Sequence, residues 1–213
     1  MSLWGRFFAR LRAFLGEPLE RSLRRRLRAA SPARISELRE GLHCRISGEV
    51  RALEGRVLEA PLSGLPCVAF LLEVVERIGT NVGEETDLAI YDRQAVPFLL
   101  VDGTHHALID PTHAQVLVGI DHELTARSPL ELSPRARALL AKYLPSRAWD
   151  QTTRIRFHER VVELGERVSI AGTGHREADP HAAGERMFRD KAQERLRFVG
   201  TQQLPLLIGA DPP

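Results

Sequence analysis

The feature that most constrains the fold is a series of short apolar runs that begins after Gly41. Glycine, proline and other turn-forming residues bound these runs, which is typical of β-strands. The runs do not alternate regularly with helical segments, so an antiparallel barrel or sandwich is expected in preference to a parallel α/β sheet. The predicted strands cover residues 44–50, 56–60, 67–75, 97–101, 107–109, 115–120, 153–162, 168–171, 196–199 and 204–208.

One helix is expected within this β pattern. Ser133 followed by Pro134 is a typical helix start, and the helix is predicted over about 133–143. A polar stretch rich in glycine and proline at about 173–194 predicts a mobile loop or a hairpin tip. The predicted fold class is therefore α+β and β-dominated, with one inserted helix and with amphipathic helices at the N-terminus.

Residues 1–29 form a cationic amphipathic segment. Apolar side chains recur at the i, i+3, i+4 and i+7 positions of one helix face, and arginines flank this stripe. Such a face is typical of a helix that lies in a membrane interface, although most amphipathic helices pack on the core of their own protein. The residues predicted to bind a membrane are Trp4, Phe7, Phe8, Leu11 and Phe14 on the stripe, with Arg6, Arg10 and Arg12 at its margins.

Two more short helices are expected before the β-rich region. Leucines with i, i+4, i+8 spacing predict a helix that begins near Pro18. Ser31 and the proline after it predict a third helix, which would end at Gly41. The chain is accordingly divided into a helical arm, residues 1–40, and a β-rich domain, residues 41–213. The leucine stripe consists of Leu19, Leu23 and Leu27.

Positive charge is concentrated in the arm. Residues 1–30 hold eight arginines and two glutamates, a net charge of +6, whereas the whole chain has a net charge of +2. An arm of this kind attracts an anionic membrane surface or an acidic protein partner. Nucleic acid is disfavoured as a partner, because only 6% of the residues are aromatic and the β-rich region lacks aromatics interleaved with basic residues.

Several classes of protein are disfavoured by the composition. The longest apolar runs are too short for a transmembrane helix, and arginines interrupt any apolar core of a secretory signal. Two cysteines do not make a disulfide framework and weakly favour a reducing compartment. A cytoplasmic location, at the periphery of a membrane, is predicted. An organellar transit peptide remains an open alternative for the arginine-rich segment.

Three ordered blocks of the β-rich region carry its strongest motifs. They contain Ala60-Pro61-Leu62-Ser63-Gly64-Leu65-Pro66-Cys67-Val68, then Pro97-Phe98-Leu99-Leu100-Val101-Asp102-Gly103 with Leu108-Ile109-Asp110-Pro111, then Arg156-Phe157-His158-Glu159 with Leu164-Gly165-Glu166. In order and content these blocks resemble the GIDE domain family, also called BAM or "beside a membrane". The motif residues are Pro61, Ser63, Gly64, Pro66, Cys67, Asp102, Gly103, Asp110, Glu159 and Gly165.

The resemblance implies a non-catalytic module that interacts with a partner or senses a ligand beside a membrane. In the membrane-anchored ubiquitin ligases of this family, transmembrane helices flank the domain and a C-terminal RING carries the ligase chemistry. This sequence has neither the paired zinc ligands of a RING nor a spanning helix. An auxiliary role in a ubiquitin-ligase-like system is therefore an alternative by family association only.

A second alternative is an enzyme that uses Cys67 or the hairpin from His105 to His113. A nucleophilic Cys67 would need a nearby base, for which His43 and His158 are candidates, but a buried, inert cysteine is favoured. Adjacent histidines on a strand point to opposite faces, so at most one of His105 and His106 can join a common metal site. The spacing of the acids and histidines in the hairpin also matches no metal template. We expect no metal and no cofactor. The hairpin's possible ligands are Asp102, His105, His106, Asp110 and His113. Glu159 and Glu163 are expected to be solvated strand residues.

Overall fold

The computed structural model describes residues 18–80, 83–144, 153–178 and 194–210. Helix α1 covers residues 18–29, and helix α2 is Pro134–Tyr143. The strands are β1 His43–Ala52, β2 Leu58–Glu59, β3 Pro66–Thr80, β4 Gly83–Ala95, β5 Phe98–Asp102, β6 His105–Ile109, β7 Ala114–Val116, β8 His122–Ala126, β9 Thr153–Glu163, β10 Arg167–Ala178, β11 Glu194–Val199 and β12 Leu206–Ala210.

The first structural unit is a closed barrel of five strands. The hydrogen-bonded order is β1-β5-β6-β11-β10, and β10 pairs with β1, so this part of the sheet closes on itself. β12 and β7 extend the sheet from β10. All these pairs are antiparallel except β6 with β11 and β7 with β12. The α+β, β-dominated fold class and the barrel alternative are confirmed, with two parallel pairs added.

The second unit is a five-stranded sheet built on the long strand β3. β9 pairs along one side of β3, and β8 pairs with β9. β2 and β4 both pair along the remaining side of β3, with β2 opposite residues 66–67 and the last residue of β4, Ala95, opposite Ala69. Between β2 and β4, the Val96 N–H just after β4 donates to the Val68 carbonyl of β3 at 2.9 Å.

Apolar side chains separate into distinct clusters beneath these elements. The barrel interior holds the largest cluster, which includes Ile46, Phe98 and Phe198. Helix α2 covers a second cluster on the five-stranded sheet. Helix α1 places Leu23 and Leu27 on a third cluster with residues of β10 and β12. Two members of the predicted leucine stripe are thus core residues, while Leu19 is 58% exposed.

The inserted helix lies where the sequence predicts it. The Ser133 hydroxyl accepts a hydrogen bond from the backbone N–H of Ala136 at 3.2 Å, and Pro134 occupies the first turn. This is the usual chemistry of a helix N-terminus, where free N–H groups need acceptors. Leu139 and Leu140 are buried on the inner side of the helix.

The prediction of a third N-terminal helix is wrong. Only Ile35–Glu37 form a single 3-10 turn. The backbone before it is used by strand β1, because the Ala33 N–H donates to the Arg45 carbonyl at 2.8 Å and the Arg45 N–H donates to the Ser31 carbonyl at 2.9 Å. An extended segment in register with β1 cannot also be helical.

The predicted loop at 173–194 also needs correction at both ends. β10 continues through Ala178, and β11 begins at Glu194, so residues 173–178 belong to a paired strand. Pairing with β11 compensates for the low β-propensity of this polar segment. The middle of the predicted loop lies outside the described residues. Neither α1 nor α2, in the ranges given above, is long and apolar enough to cross a membrane.

Candidate functional site

The most specific feature of the β-rich region is the 61–64 turn, formed by Pro61, Leu62, Ser63 and Gly64. Its backbone is fixed by the carboxylate of Glu159, which accepts the Leu62 N–H at 2.6 Å and the Ser63 N–H at 2.9 Å. Glu159 lies in β9 and has no exposed surface. The expectation of a solvated Glu159 is therefore wrong, because the carboxylate replaces water as the acceptor for two backbone donors.

Helix α2 fixes the same turn from its other side. The guanidinium of Arg135 donates to the Pro61 carbonyl at 2.7 Å, to the Ala60 carbonyl at 3.0 Å and to the Glu59 carboxylate at 2.5 Å. Gly64 adopts φ +81°, and a Cβ there would lie 2.8 Å from the guanidinium. The positive φ favours glycine at this position, and a side chain there would also displace the guanidinium of Arg135.

A cleft of about 390 Å³ opens beside the turn, between α2 and residues of β2, β3 and β4. This volume lies toward the small end of ordinary small-molecule sites, which span about 300–1,000 Å³. Its floor and inner wall are apolar, and its rim is charged. The apolar lining is provided by Leu58, Pro61, Phe70, Ala138 and Leu139, and the polar lining by Glu59, Asp92, Gln94, Arg135, Lys142 and Tyr143.

The charged groups of the rim differ in how far they are already engaged. The Tyr143 hydroxyl donates to the Asp92 carboxylate, and the Gln94 amide donates to the same carboxylate at 3.3 Å. Burial and the hydrogen bond to Asp92 raise the pKa of Tyr143, so its hydroxyl stays protonated. Lys142 lies 3.4 Å from the Tyr143 hydroxyl and 4.8 Å from the ring centre. Within the described part of the chain, Lys142 forms no ion pair.

The structure brings together some of the motif residues and separates others. Glu159 from the third block meets the 61–64 turn of the first block, whereas the motif residues Asp102, Gly103, Asp110 and Gly165 lie on the barrel. Asp102 is the last residue of β5 and pairs with His105, and Gly103, with φ +61°, is the first of the two residues in the β5–β6 turn. Asp110 pairs with Arg197, and the Gly165 N–H donates to the Val50 carbonyl at 2.8 Å.

The two regions considered for chemistry have ordinary surroundings. His105 and His106 are both exposed, on the β6 strand opposite Asp102 and Val101. Among the residues that the structure describes, no three His, Cys, Asp or Glu side chains are arranged to hold a metal ion. Cys67 has no exposed surface, and burial, with Glu159 and Glu163 nearby, raises the pKa of its thiol to about 11.

The raised pKa of Cys67 predicts a specific loss of stability at high pH. The buried thiol stays protonated up to about pH 11, whereas the unfolded thiol ionises around its ordinary pKa of 9.0. The contribution of the Cys67 thiol to the free energy of unfolding is therefore complete below about pH 9 and is lost as the pH rises towards 11. Urea unfolding at several pH values should show that, above about pH 9, the free energy of unfolding falls more steeply with pH for the wild type than for Cys67→Ala. Parallel curves for the two proteins would contradict the raised pKa.

Apart from Pro61, the residues that line the cleft were not found from the sequence. Arg135 and Lys142 lie on a helix that the sequence predicts, but no spacing rule relates them to residues 59–61 or to Asp92. Those contacts depend on how α2 crosses the five-stranded sheet, which is a tertiary property. The predicted membrane-binding residues, from Trp4 to Phe14, lie outside the described residues. No protein-family model, curated protein or solved structure matches the chain.

Proposed function

We propose that this chain is a non-catalytic, GIDE-like binding module that residues 1–29 hold at an anionic membrane surface. The observation that carries the proposal is the orientation of helix α1. Leu23 and Leu27 face the protein, whereas Arg21, Arg25 and Arg28 are exposed, and residues 1–17 before the helix carry further arginines.

The geometry of α1 separates the two kinds of side chain. At about 100° per residue, Arg21, Arg25 and Arg28 fall on the side opposite Leu23 and Leu27. All three arginines are exposed, whereas the two leucines are 8% and 5% exposed. Each arginine near an anionic lipid surface contributes about 1 kcal/mol of attraction. The outward face of α1 therefore adds to the positive charge of the segment before it.

Helix α1 is also held firmly enough to transmit a membrane attachment to the rest of the protein. Arg160 of β9, with only 12% of its side chain exposed, pairs with Glu20 at 3.2 Å and with Glu73 at 3.3 Å. Arg24 pairs with Glu20 and donates to the Val118 carbonyl at 3.1 Å. These contacts link α1 to both sheets, since Glu73 belongs to the five-stranded sheet and Val118 follows β7.

The non-catalytic part of the proposal is supported by the state of Cys67. With a pKa of about 11, only about one thiol in 10⁴ would be ionised at neutral pH, and the thiolate is the nucleophilic form. Pro61, a motif residue of the 61–64 turn, instead lines a cleft, which suits binding. An auxiliary role in a ubiquitin-ligase-like system stays a prediction from the resemblance.

Charge reversal on α1 tests the proposal. Full-length wild-type protein should float with vesicles that contain anionic phosphatidylserine, and less with neutral phosphatidylcholine vesicles. Arg25→Glu combined with Arg28→Glu should weaken binding to the anionic vesicles by at least about tenfold, because attraction becomes repulsion. Added salt should also weaken the binding of the wild-type protein to the anionic vesicles. Co-flotation at low and high salt measures both effects.

A matched control separates local from overall charge. Arg127→Glu with Arg137→Glu makes the same change in net charge near α2, where both side chains are exposed. This control should float almost as well as the wild type. Trp4→Ser with Phe8→Ser should abolish flotation while the protein stays folded. A wild type that does not float, or an equal loss in both arginine pairs, would overturn the proposal.

A further inference from the structure

The cleft beside the 61–64 turn combines an apolar floor with one charged group, Lys142, that has no carboxylate partner among the described residues. Phe70 and Leu139 are 3% and 7% exposed, so the floor is formed by side chains that the core holds in place. Leu58 and Pro61 extend the apolar surface towards the rim. A ligand that fits must therefore carry an apolar body.

The charges on the rim decide which polar group the ligand should carry. Glu59 is paired with Arg135 at 2.5 Å, and Asp92 accepts hydrogen bonds from Tyr143 and Gln94. Both carboxylates are thus already engaged. Lys142 has three N–H donors and contacts only the Tyr143 side chain among the described residues, so it can accommodate an additional anion.

We propose that this cleft binds a small organic carboxylate with an apolar or aromatic body. The body lies on Phe70, Leu139 and Leu58, and the carboxylate pairs with the Lys142 ammonium at the rim. Pro61 lines one side, and its turn is held by Glu159 and Arg135, so this side of the site is formed before the ligand arrives.

This inference rests on the proposed function only in treating the β-rich domain as a ligand-binding module. Membrane attachment through residues 1–29 does not require the cleft. Vesicle flotation and ligand binding can therefore fail independently, and the variants below change no residue of α1 or of the segment before it.

The probe is 4-phenylbutyrate, with its neutral amide as the matched compound of the same shape. With full-length protein, calorimetric or NMR titration should show saturable binding of the acid with a Kd on the order of 1 mM. The amide should bind about threefold more weakly, as expected for the loss of one exposed ion pair. Equal affinities for the acid and the amide would overturn the assignment of the anion to Lys142.

Two variants separate the charge from the cavity. Lys142→Met keeps an apolar stem and removes the ammonium, so binding of the acid should fall to that of the amide while binding of the amide is unchanged. Ala138→Trp, at an exposed position of the wall, should fill the cleft and abolish binding of both. Arg137→Met, on the same helix but outside the cleft, should change the affinity for neither the acid nor the amide. The proposal fails if the wild type shows no saturable binding or if Ala138→Trp still binds the acid.

Discussion

Replacing Glu159 with alanine should lower the free energy of unfolding by about 2–4 kcal/mol, because hydrogen bonds to a charged acceptor contribute about 1.5–3 kcal/mol each when buried. The variant removes the acceptor of the Leu62 and Ser63 N–H groups and leaves a cavity below the 61–64 turn. Glu159→Gln keeps one acceptor oxygen and should show a smaller loss. Urea denaturation of the three proteins measures the effect.

Glu163 provides the control for this experiment. It lies four residues further along β9, is half-buried, and its carboxylate accepts no hydrogen bond from the described residues. Glu163→Ala should therefore change stability by less than about 1 kcal/mol. A similar loss in the alanine variants of Glu159 and Glu163 would show that the carboxylate does not hold the turn.

Truncating Leu27 to alanine should be the second large effect. Leu27 is 5% exposed and packs with Leu117, Ala171 and Leu207, so the substitution opens a cavity between α1 and the barrel. Replacing a comparably buried leucine with alanine lowers the free energy of unfolding by about 2–5 kcal/mol. Leu19→Ala on the same helix should cost far less, because Leu19 is 58% exposed. Thermal and urea unfolding of both variants would compare them.

Gly209 gives an independent check on the position of Leu27. A Cβ on Gly209 would lie 2.5 Å from Leu27 Cδ2, so Gly209→Ala should be destabilising in the wild type by about 1–3 kcal/mol. In the Leu27→Ala background the same change should cost less, because the clashing methyl group is gone. Strict additivity of the two substitutions would contradict the docking of α1 on β12.

The same contacts matter for designing shortened proteins. A chain that begins at Ser31 removes Leu23, Leu27 and the Glu20 partner of Arg160 along with the cationic segment. Such a chain would lose stability as well as any membrane affinity. Substitutions in the full-length protein are therefore the better test of the arm.

Hydrophobic pattern was sufficient to predict most strands, the inserted helix and the barrel alternative, because these depend on local periodicity. It missed β4, Gly83–Ala95, whose first half is acidic and lacks alternation. It also missed β8, which contains few apolar residues. Both strands form by pairing with a stronger neighbour, β3 or β9, and such pairing is invisible in a single segment.

The candidate site was less predictable than the fold. The sequence indicated the 61–64 turn and, through the resemblance, Glu159, but it did not indicate that the two meet. A glutamate flanked by histidine and arginine has the pattern of a solvated strand residue. Its burial follows from the turn that folds over β9. Its carboxylate accepts hydrogen bonds from backbone N–H groups of that turn rather than from a charged side chain.

Closure of the barrel has a consequence for how the protein folds. β1 can pair with β5 before β10 exists, since about 50 residues separate their paired positions, but it completes the ring by placing His43 opposite Thr173, about 130 residues later in the chain. Contacts of such long range carry a large loop-closure entropy and slow the search for the native state. During synthesis, β1 must therefore wait with one edge unpaired until β10 has emerged from the ribosome, and this interval is when the nascent chain is most exposed to aggregation.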